Sequence, residues 1–549
     1  MLDAARGLIP ADAVYKNASI FNPFSCDWEK SSLAVKNGRV LGLGPYTGIT
    51  EFDFSGLFII PGLIDAHVHI ESSLLVPREY ARLVASHGTT TVIADPHEIA
   101  NVAGIQGIDF MLAERSGSAI DIQYLLPSCV PATPMDTGGA TLDARDLRQF
   151  IGRKGILGLG EMMNVPGVLA ADPGIGEKLK LFSIRDGHAP QLFGKDLNAY
   201  ILAGLQSDHE CTRLAEAEEK LHRGMYIFIR EGSTECNISD LIGLVTQSNV
   251  SRCSFATDDC HADILFKKGH IDRCVRRAIE CGLKPELALR MATLSPAERF
   301  GLSDRGALTP GRRADFLVVE DPRQFIVKKV FMKGKEVSQS MFQETQTDLH
   351  APFPCQIPSG EAIRITGSKE ARVIGLIPHQ IITKSLRYPL AAQDIPDFTR
   401  DILKVVVCNR YRDKESSVGL VHGFSLKRGA IASSVSHDAH NIIAVGTSDG
   451  EIQMAIGEVI RSRGAMVAVV GETPTILPLD CGGLMSTLPY PEVVKRLEDL
   501  HTVTGSMGSI DNPFMYLSFL ALSVIPTLRI TDRGLFDVAE RANVPLFIQ

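Results

Sequence analysis

The stretch that decides the fold is FIIPGLIDAHVHIESS, residues 58–73. A run of apolar residues leads into His67 and His69, and the alternation of side chains along a β-strand places both imidazoles on the same side. Two imidazoles on one side can bind one metal ion, although a His-x-His pair also arises by chance. The stretch therefore predicts a buried strand with candidate metal ligands at its carboxyl end.

Seven more β-rich runs follow, and longer helical patterns separate them. The eight predicted strands cover residues 58–66, 89–94, 122–128, 156–160, 181–186, 204–208, 225–230 and 252–257. Such alternation indicates a parallel sheet of β-α units. Eight parallel strands within roughly 250 residues are typical of a (β/α)8 TIM barrel, whose catalytic groups lie at the carboxyl ends of the strands.

The ends of these predicted strands carry an unusual number of ligand-type residues. Six of them form the candidate metal set: His67, His69, Glu161, His188, His209 and Asp258. Each one alone could be a helix cap or a polar turn residue, but that explanation would have to hold independently at five strand ends. Six ligands exceed a tetrahedral zinc site and suit two ions that share a bridging carboxylate.

A second group, at the ends of the first, second, seventh and eighth predicted strands, is predicted to contact substrate or to orient the ligands. It comprises Glu71, His97, Glu98, Arg230, Glu231 and Asp259. A structural salt bridge is an equally good explanation for each of them. Farther along the chain, SVSHDAHN at 434–441 has ligand-type composition through His437, Asp438 and His440. It could be a second metal site, a lid over the pocket or a buried polar turn; we favour the turn because no further ligands stand out nearby.

The chain as a whole is predicted to be an α/β protein of three parts. Residues 1–56 and 302–345 would form a small composite β-sandwich, residues 57–301 the TIM-barrel catalytic domain and residues 355–549 a separate α+β C-terminal domain. A proline-rich stretch at 350–360 separates the last two parts.

Composition excludes several classes of protein. Of the 549 residues 45% are hydrophobic and 22% are charged, which is typical of a folded protein and not of a disordered one. The net charge of -8 without a block of like charge argues against a nucleic acid partner. The longest apolar stretch, near 514–525, is too short to span a membrane. Eleven cysteines without a CxxC pair favour reduced thiols and a cytoplasmic location.

Several motifs resemble the amidohydrolase superfamily, namely PGLIDAHVHIESS at 61–73, TDD at 257–259 and the spaced pattern from Gly306 to Phe316. Longer segments are similar to its adenine deaminase family, among them DPHEI at 95–99, GLGEMMNVPGV at 158–168 and FSLKRGAIASSVSHDAHNI at 424–442. The resemblance covers nearly the whole chain.

The resemblance implies a binuclear site. His67 and His69 would bind one ion together with Asp258, and His188 and His209 would bind the other. Glu161 would bridge the two ions where many relatives have a carboxylated lysine. The implied cofactors are two divalent metal ions, with Mn2+ as the first expectation and Fe2+ or Zn2+ as alternatives.

The implied activity is hydrolytic deamination of adenine to hypoxanthine and ammonia by a metal-bridged hydroxide, in purine salvage or catabolism. Asp258 would act as general base and acid, and Glu161, Glu98 and Glu71 are candidates to protonate N1 of the purine. The alternative enzyme is a cyclic-amide hydrolase of the dihydroorotase or hydantoinase type, which should carry lysine at position 161. A non-catalytic scaffold should have lost metal ligands. The expected partner is a small molecule, and we expect a homo-oligomer.

Overall fold

The computed structural model describes residues 1–343, 349–378, 380–391, 395–412 and 416–548. Residues 344 and 345 of the predicted composite unit, and residues 379, 392–394, 413–415 and 549 of the predicted C-terminal domain, lie outside the described residues.

The N-terminal flank is a short helix followed by five strands. These are α1 (Leu2–Ala5), β1 (Ala11–Asn22), β2 (Asp27–Lys36), β3 (Arg39–Leu43), β4 (Gly48–Asp53) and β5 (Phe58–Pro61). Strands β1, β2 and β3 pair antiparallel, whereas β4 and β5 run parallel to β1. The β2–β3 turn is Asn37-Gly38, and both residues have positive φ, as a tight hairpin turn of this kind requires.

Eight parallel strands form the barrel: β6 (Leu63–Val68), β7 (Thr89–Ala94), β8 (Asp121–Leu126), β9 (Ile156–Met162), β10 (Arg185–Gly187), β11 (Ser207–Asp208), β12 (Tyr226–Arg230) and β13 (Cys253–Ala256). They make a five-stranded sheet in the order β10-β9-β8-β7-β6 and a three-stranded sheet in the order β11-β12-β13. A parallel bridge between Val68 and Asp258 joins the first strand to the end of the last. The domain is therefore TIM-barrel-like, and each predicted strand region overlaps one barrel strand.

The first predicted strand, residues 58–66, is wrong in one respect, because it is two strands. Residues Phe58–Pro61 pair with the flanking sheet, and the barrel strand begins only at Leu63. The chain passes from one sheet to the other at Gly62, whose backbone N–H donates to the carbonyl of Asp315. A Cβ atom at position 62 would lie 2.2 Å from Oγ1 of Thr90, so only glycine fits this crossing.

Twelve helices connect and follow the barrel strands: α2 (Pro77–Ala85), α3 (His97–Glu114), α4 (Ala144–Arg148), α5 (Val165–Leu169), α6 (Pro173–Leu179), α7 (Gly194–Leu202), α8 (Leu214–His222), α9 (Ile238–Leu241), α10 (Ala262–Lys268), α11 (Ile271–Glu280), α12 (Pro285–Met291) and α13 (Leu294–Arg299). Four of them, α2, α5, α6 and α12, have proline at the first or second position, where the missing N–H has no intrahelical partner to lose.

Strands β14 (Phe316–Val319), β15 (Val327–Met332) and β16 (Lys335–Glu336) return to the N-terminal flank. Together the two flanks form one eight-stranded sheet in the order β16-β15-β14-β5-β1-β2-β3, with β4 paired to β1. The aromatic rings of Phe316 and Phe331 stack with centroids 4.5 Å apart and pack against Tyr15 from the other flank. The strand pairing thus shows that the two flanks form one composite unit. Its description as a sandwich and its residue bounds stay predictions.

The C-terminal region mixes strands and helices: β17 (Ser368–Gly375), β18 (Lys384–Ala391), β19 (Ile402–Cys408), β20 (Ser416–His422), β21 (Ala430–Ser433), β22 (Ile442–Gly446), α14 (Asp449–Arg461), β23 (Ala465–Val470), β24 (Thr473–Pro478), α15 (Tyr490–Ser506), α16 (Pro513–Phe519), β25 (Leu528–Thr531), β26 (Gly534–Asp537) and β27 (Ala542–Asn543). The first eight strands form one sheet and the last three a small second sheet. Helix α15 packs on α2 and α10 of the barrel. Within the described ranges, no helix has the length and apolar character that crossing a membrane requires.

Candidate active site

His67 and His69 lie at the end of β6 with their Nε2 atoms 3.1 Å apart. Their other ring nitrogens are already bound: Nδ1 of His67 lies 3.0 Å from Oδ2 of Asp186, and Nδ1 of His69 lies 3.0 Å from the backbone carbonyl of Asp95. Such outer contacts fix the orientation of a metal-binding imidazole. Both Nε2 atoms therefore face the centre of the site.

Glu161, at the end of β9, lies between two groups of imidazoles. Its Oε1 is 3.2 Å from Nε2 of His69, and its Oε2 is 2.7 Å from Nδ1 of His188 and 3.1 Å from Nε2 of His209. Its backbone N–H donates to Asp95 Oδ2 at 2.9 Å. One carboxylate oxygen thus faces each group, which is the arrangement that a bridging ligand needs.

Asp258, just after β13, completes the first group. Its Oδ1 lies 3.1 Å from Nε2 of His69 and 3.7 Å from Nε2 of His67, and its Oδ2 accepts a hydrogen bond of 2.9 Å from Arg230. The residue has a φ of 55° and exchanges backbone hydrogen bonds with His67 and His69. This left-handed backbone, sparsely populated by non-glycine residues, directs the carboxylate over the mouth of the barrel.

The charges of the centre fit divalent cations. Burial raises the pKa of Glu161, but His188, His209 and His69 outweigh it and hold that pKa well below its ordinary value. Burial also opposes ionisation of Asp258, and the hydrogen bond from His69 together with the charges of His209 and Arg230 holds its pKa well below the usual range. Both carboxylates are therefore anionic in a buried site.

The positions of the ligand atoms also fit metal ions. The ligand atoms of His67, His69 and Asp258 lie within 4.8 Å of one another, and so do those of His67, Glu161 and His209. A third such group joins His188 and His209 with a neighbouring carboxylate, Glu210. All six predicted ligands come together, and imidazole with carboxylate is a donor set that manganese, iron and zinc accept.

Glu210 belongs to this centre and was not selected from the sequence. It forms a short ion pair with Arg230, and its Oε1 lies 3.6 Å from Nε2 of His209 and 3.9 Å from Nδ1 of His188. The sequence signal that could have identified Glu210 was its position directly after a predicted ligand at the end of a strand.

The second predicted group divides into two. His97, Glu98 and Asp259 line the central cavity, and Arg230 lies behind it between Glu210 and Asp258. Two other predicted residues face elsewhere. Glu231 accepts a hydrogen bond of 3.1 Å from Arg273, because the residue after Arg230 points to the opposite side of the chain. Glu71 accepts the backbone N–H of Ile99 at 3.1 Å, and burial raises its pKa to about 7.

The turn at 434–441 reaches the cavity from the C-terminal region. Nδ1 of His437 and Nε2 of His440 make short contacts with the two carboxylate oxygens of Glu98. Asp438 lines the cavity together with His437, and Ile381 and Leu522 add apolar surface from the same region. The turn is buried, as the favoured interpretation predicted, but that interpretation wrongly left it out of the pocket because its partners lie on the barrel.

Comparisons with known proteins agree with this architecture. Residues 58–337 match the model of the amidohydrolase family, and residues 380–542 match that of the adenine deaminase C-terminal domain. An adenine deaminase of Methanoregula boonei is 61% identical over 100% of this chain and 98% of its own length. An adenine deaminase of Methanoculleus marisnigri is 60% identical over 93% of this chain and 99% of its own. Among solved structures, an N-acetyl-D-glucosamine-6-phosphate deacetylase from Mycobacterium smegmatis is 17% identical, with a TM-score of 0.48 over 59% of this chain and 100% of its own. With a barrel of amidohydrolase type, a matching C-terminal domain and relatives this similar along their full length, the chain belongs to the adenine deaminase family of amidohydrolases.

Proposed function

We propose that the chain hydrolyses adenine to hypoxanthine and ammonia. The position of Glu161 carries this proposal, because one of its oxygens faces His69 and the other faces His188 and His209. The names of the two relatives above supply the substrate. A glutamate at position 161, in place of lysine, also disfavours a cyclic-amide hydrolase of the hydantoinase type.

The proposed cofactors are two divalent metal ions, with Mn2+ ahead of Fe2+ and Zn2+. His67, His69 and Asp258 would hold one ion, His188 and His209 the other, and Glu161 would contact both. When bound, such ions lower the pKa of water, so that hydroxide is available near neutral pH.

In the reaction a water oxygen forms a new bond to C6 of adenine, and the bond between C6 and the amino nitrogen breaks. Asp258 takes the proton that the water loses and gives it to the departing amino group, which leaves as ammonia. N1 gains a proton from a carboxylic acid during the attack, and the proton that the C6 hydroxyl loses as the carbonyl forms returns to that acid. Glu98 lines the cavity and Glu71 does not, and Glu161 is anionic, so Glu98 is the proposed donor to N1.

The decisive experiment is an ultraviolet assay of protein loaded with Mn2+. We expect adenine to be converted to hypoxanthine with release of one ammonia per turnover, and we expect adenosine to be a poor substrate. Hydantoin and dihydroorotate serve as test substrates for the competing activity. Metal-loaded protein that leaves adenine unchanged but opens either ring would refute the proposal.

A cytoplasmic location and a homo-oligomeric state are further parts of the proposal. The eleven cysteines include no CxxC pair, and their odd number cannot form a complete disulfide set, which supports a reducing compartment.

A further inference from the structure

Asp438 projects from the 434–441 turn into the cavity and is only 5% exposed. Its Oδ1 lies 3.8 Å from Nε2 of His97. Its Oδ2 is buried and has no hydrogen-bond partner among the described residues. A buried carboxylate oxygen without a partner is costly, so an N–H group that reaches it from a ligand is stabilised.

The other carboxylates that line the cavity have partners. Histidines contact both oxygens of Glu161 and of Glu98, as described above. Arg230 binds Glu210 and Asp258, and Oδ1 of Asp259 accepts a hydrogen bond from Ser72. Of the described residues that line this cavity, Asp438 alone has a carboxylate oxygen that is both buried and without a partner.

His97 separates this carboxylate from the metal-binding centre. Its Nδ1 lies 3.3 Å from Oε1 of Glu161, and its Nε2 lies 3.4 Å from Oε1 of Glu98 and 3.8 Å from Oδ1 of Asp438. The imidazole of His97 therefore lies between the carboxylates of Glu161 and Asp438. Asp438 lines the same cavity as Asp258, the residue proposed to act at C6 of the base.

We propose that Asp438 accepts the N–H of the imidazole ring of the substrate and thereby selects the free purine base. This inference rests on the proposed deamination of adenine. Adenine carries one N–H on its five-membered ring, whereas a base substituted at N9, as in a nucleoside, carries none. A substrate without that group would leave a buried carboxylate unpaired, and sites built to bind a polar group reject analogues that lack it strongly.

The competing role for Asp438 is as a ligand to a third cation. Ligand atoms of His97, Glu98 and Asp438 also lie within 4.8 Å of one another. The two roles differ in metal content, because only a ligand should change the number of ions bound when it is replaced.

The test compares adenine with 9-methyladenine in the metal-loaded wild type and in the variants Asp438→Asn and Asp438→Ala. We expect kcat/KM for adenine to fall by about 10- to 100-fold in Asp438→Ala, the effect of losing a hydrogen bond to a charged group. For 9-methyladenine, kcat/KM should change by less than about threefold, so the preference between the two bases should collapse. Asp438→Asn, which keeps a neutral acceptor, should give an intermediate result.

Asp499→Asn is the matched control, because Asp499 is exposed on α15. This substitution should leave kcat/KM for adenine and for 9-methyladenine unchanged. The inhibition constants of hypoxanthine and 9-methylhypoxanthine provide a readout independent of turnover, and only the first should rise in Asp438→Ala. Two ions per chain and an unchanged melting curve are expected in every variant.

An unchanged preference for adenine in both Asp438 variants would overturn the inference, and so would the loss of an ion in Asp438→Asn. A wild-type enzyme that does not deaminate adenine would instead refute the proposed function, so the two failures are distinguishable.

Discussion

Replacing Lys220 with methionine should weaken the part of the barrel that carries the second pair of histidines. The Lys220 ammonium, on α8, is fully buried and donates three hydrogen bonds: to the carbonyl of Ala189 at 2.7 Å, to Oδ2 of Asp208 at 3.0 Å and to Oε1 of Glu216 at 2.7 Å. Ala189 follows His188 and Asp208 precedes His209, so one ammonium joins the two strand ends that hold these candidate ligands.

The magnitude follows from the two carboxylates that remain. Burial lowers the pKa of Lys220, but Asp208 and Glu216 outweigh it and raise that pKa above its ordinary value, so the group is charged. Methionine preserves most of the side-chain volume and removes the charge. Leaving one partner of a buried ion pair uncompensated costs about 3–5 kcal/mol, and we expect a loss of folding free energy in that range.

Urea unfolding of the metal-free protein, followed by circular dichroism, measures this loss. Lys195→Met is the control, because Lys195 is exposed on α7 and a substitution there should stay within about 0.5 kcal/mol of the wild type. Hydrogen exchange should show lower protection near Ala189 and His209 in Lys220→Met. A variant as stable as the control, with unchanged protection at both strand ends, would show that the ammonium does not hold them together.

Two other substitutions test the centre and its surroundings. Glu161→Gln places an amide nitrogen opposite imidazole nitrogens, so it should lower the metal content below two ions per chain and turnover by at least about 100-fold. Even the replacement of residues that only support metal ligands lowers metal affinity or activity by about 10- to 100-fold. Full activity with two ions bound would contradict the bridging role. Asp136→Asn should change the pH dependence of stability, because burial raises the pKa of Asp136 from 3.8 to about 6. Protonated Asp136 stabilises the wild type fully below pH 3.8, and this stabilisation is lost as the pH rises through about 6. Over this range the free energy of unfolding of the wild type should fall by up to about 3 kcal/mol relative to that of the variant. Urea midpoints of both proteins at pH 4.5 and 7.5 measure the difference, and parallel pH profiles would contradict it.

The barrel strands were predictable because strands buried on both faces are continuous apolar runs, and their order along the chain fixes where their ends meet. That convergence also predicted that the six candidate ligands come together, since they lie at the carboxyl ends of five strands. The error at residues 58–66 has a local cause. Both halves of that run are buried strands, and hydrophobicity does not show that the chain changes sheets at Gly62.

Residues adjacent to a strand end were harder to assign, because the choice depends on which way each side chain points. Arg230 and Glu231 are neighbours of similar polarity, yet one faces the centre and the other faces Arg273. Glu210 follows His209 and still reaches the cavity, because the chain has left the strand and no longer alternates. The alternation of side chains along a strand therefore determines which residues face the centre up to the strand end. Beyond that end, the geometry of the loop determines which residues face it.

The C-terminal turn could not be placed from sequence, because its partner lies far away in the chain. His437 and Glu98 are 339 positions apart, and the type of neither residue indicates that the two are in contact. Their contact has a physical consequence for the whole molecule. The C-terminal region supplies polar partners to Glu98 through His437 and His440 and apolar cover through Ile381 and Leu522, so the cavity is closed over a group of buried charges. Excluding water strengthens each electrostatic interaction inside such a cavity. A barrel without this region would leave the same carboxylates and imidazoles facing solvent, where their charges are screened, and we infer that both parts of the chain are needed to form one active site.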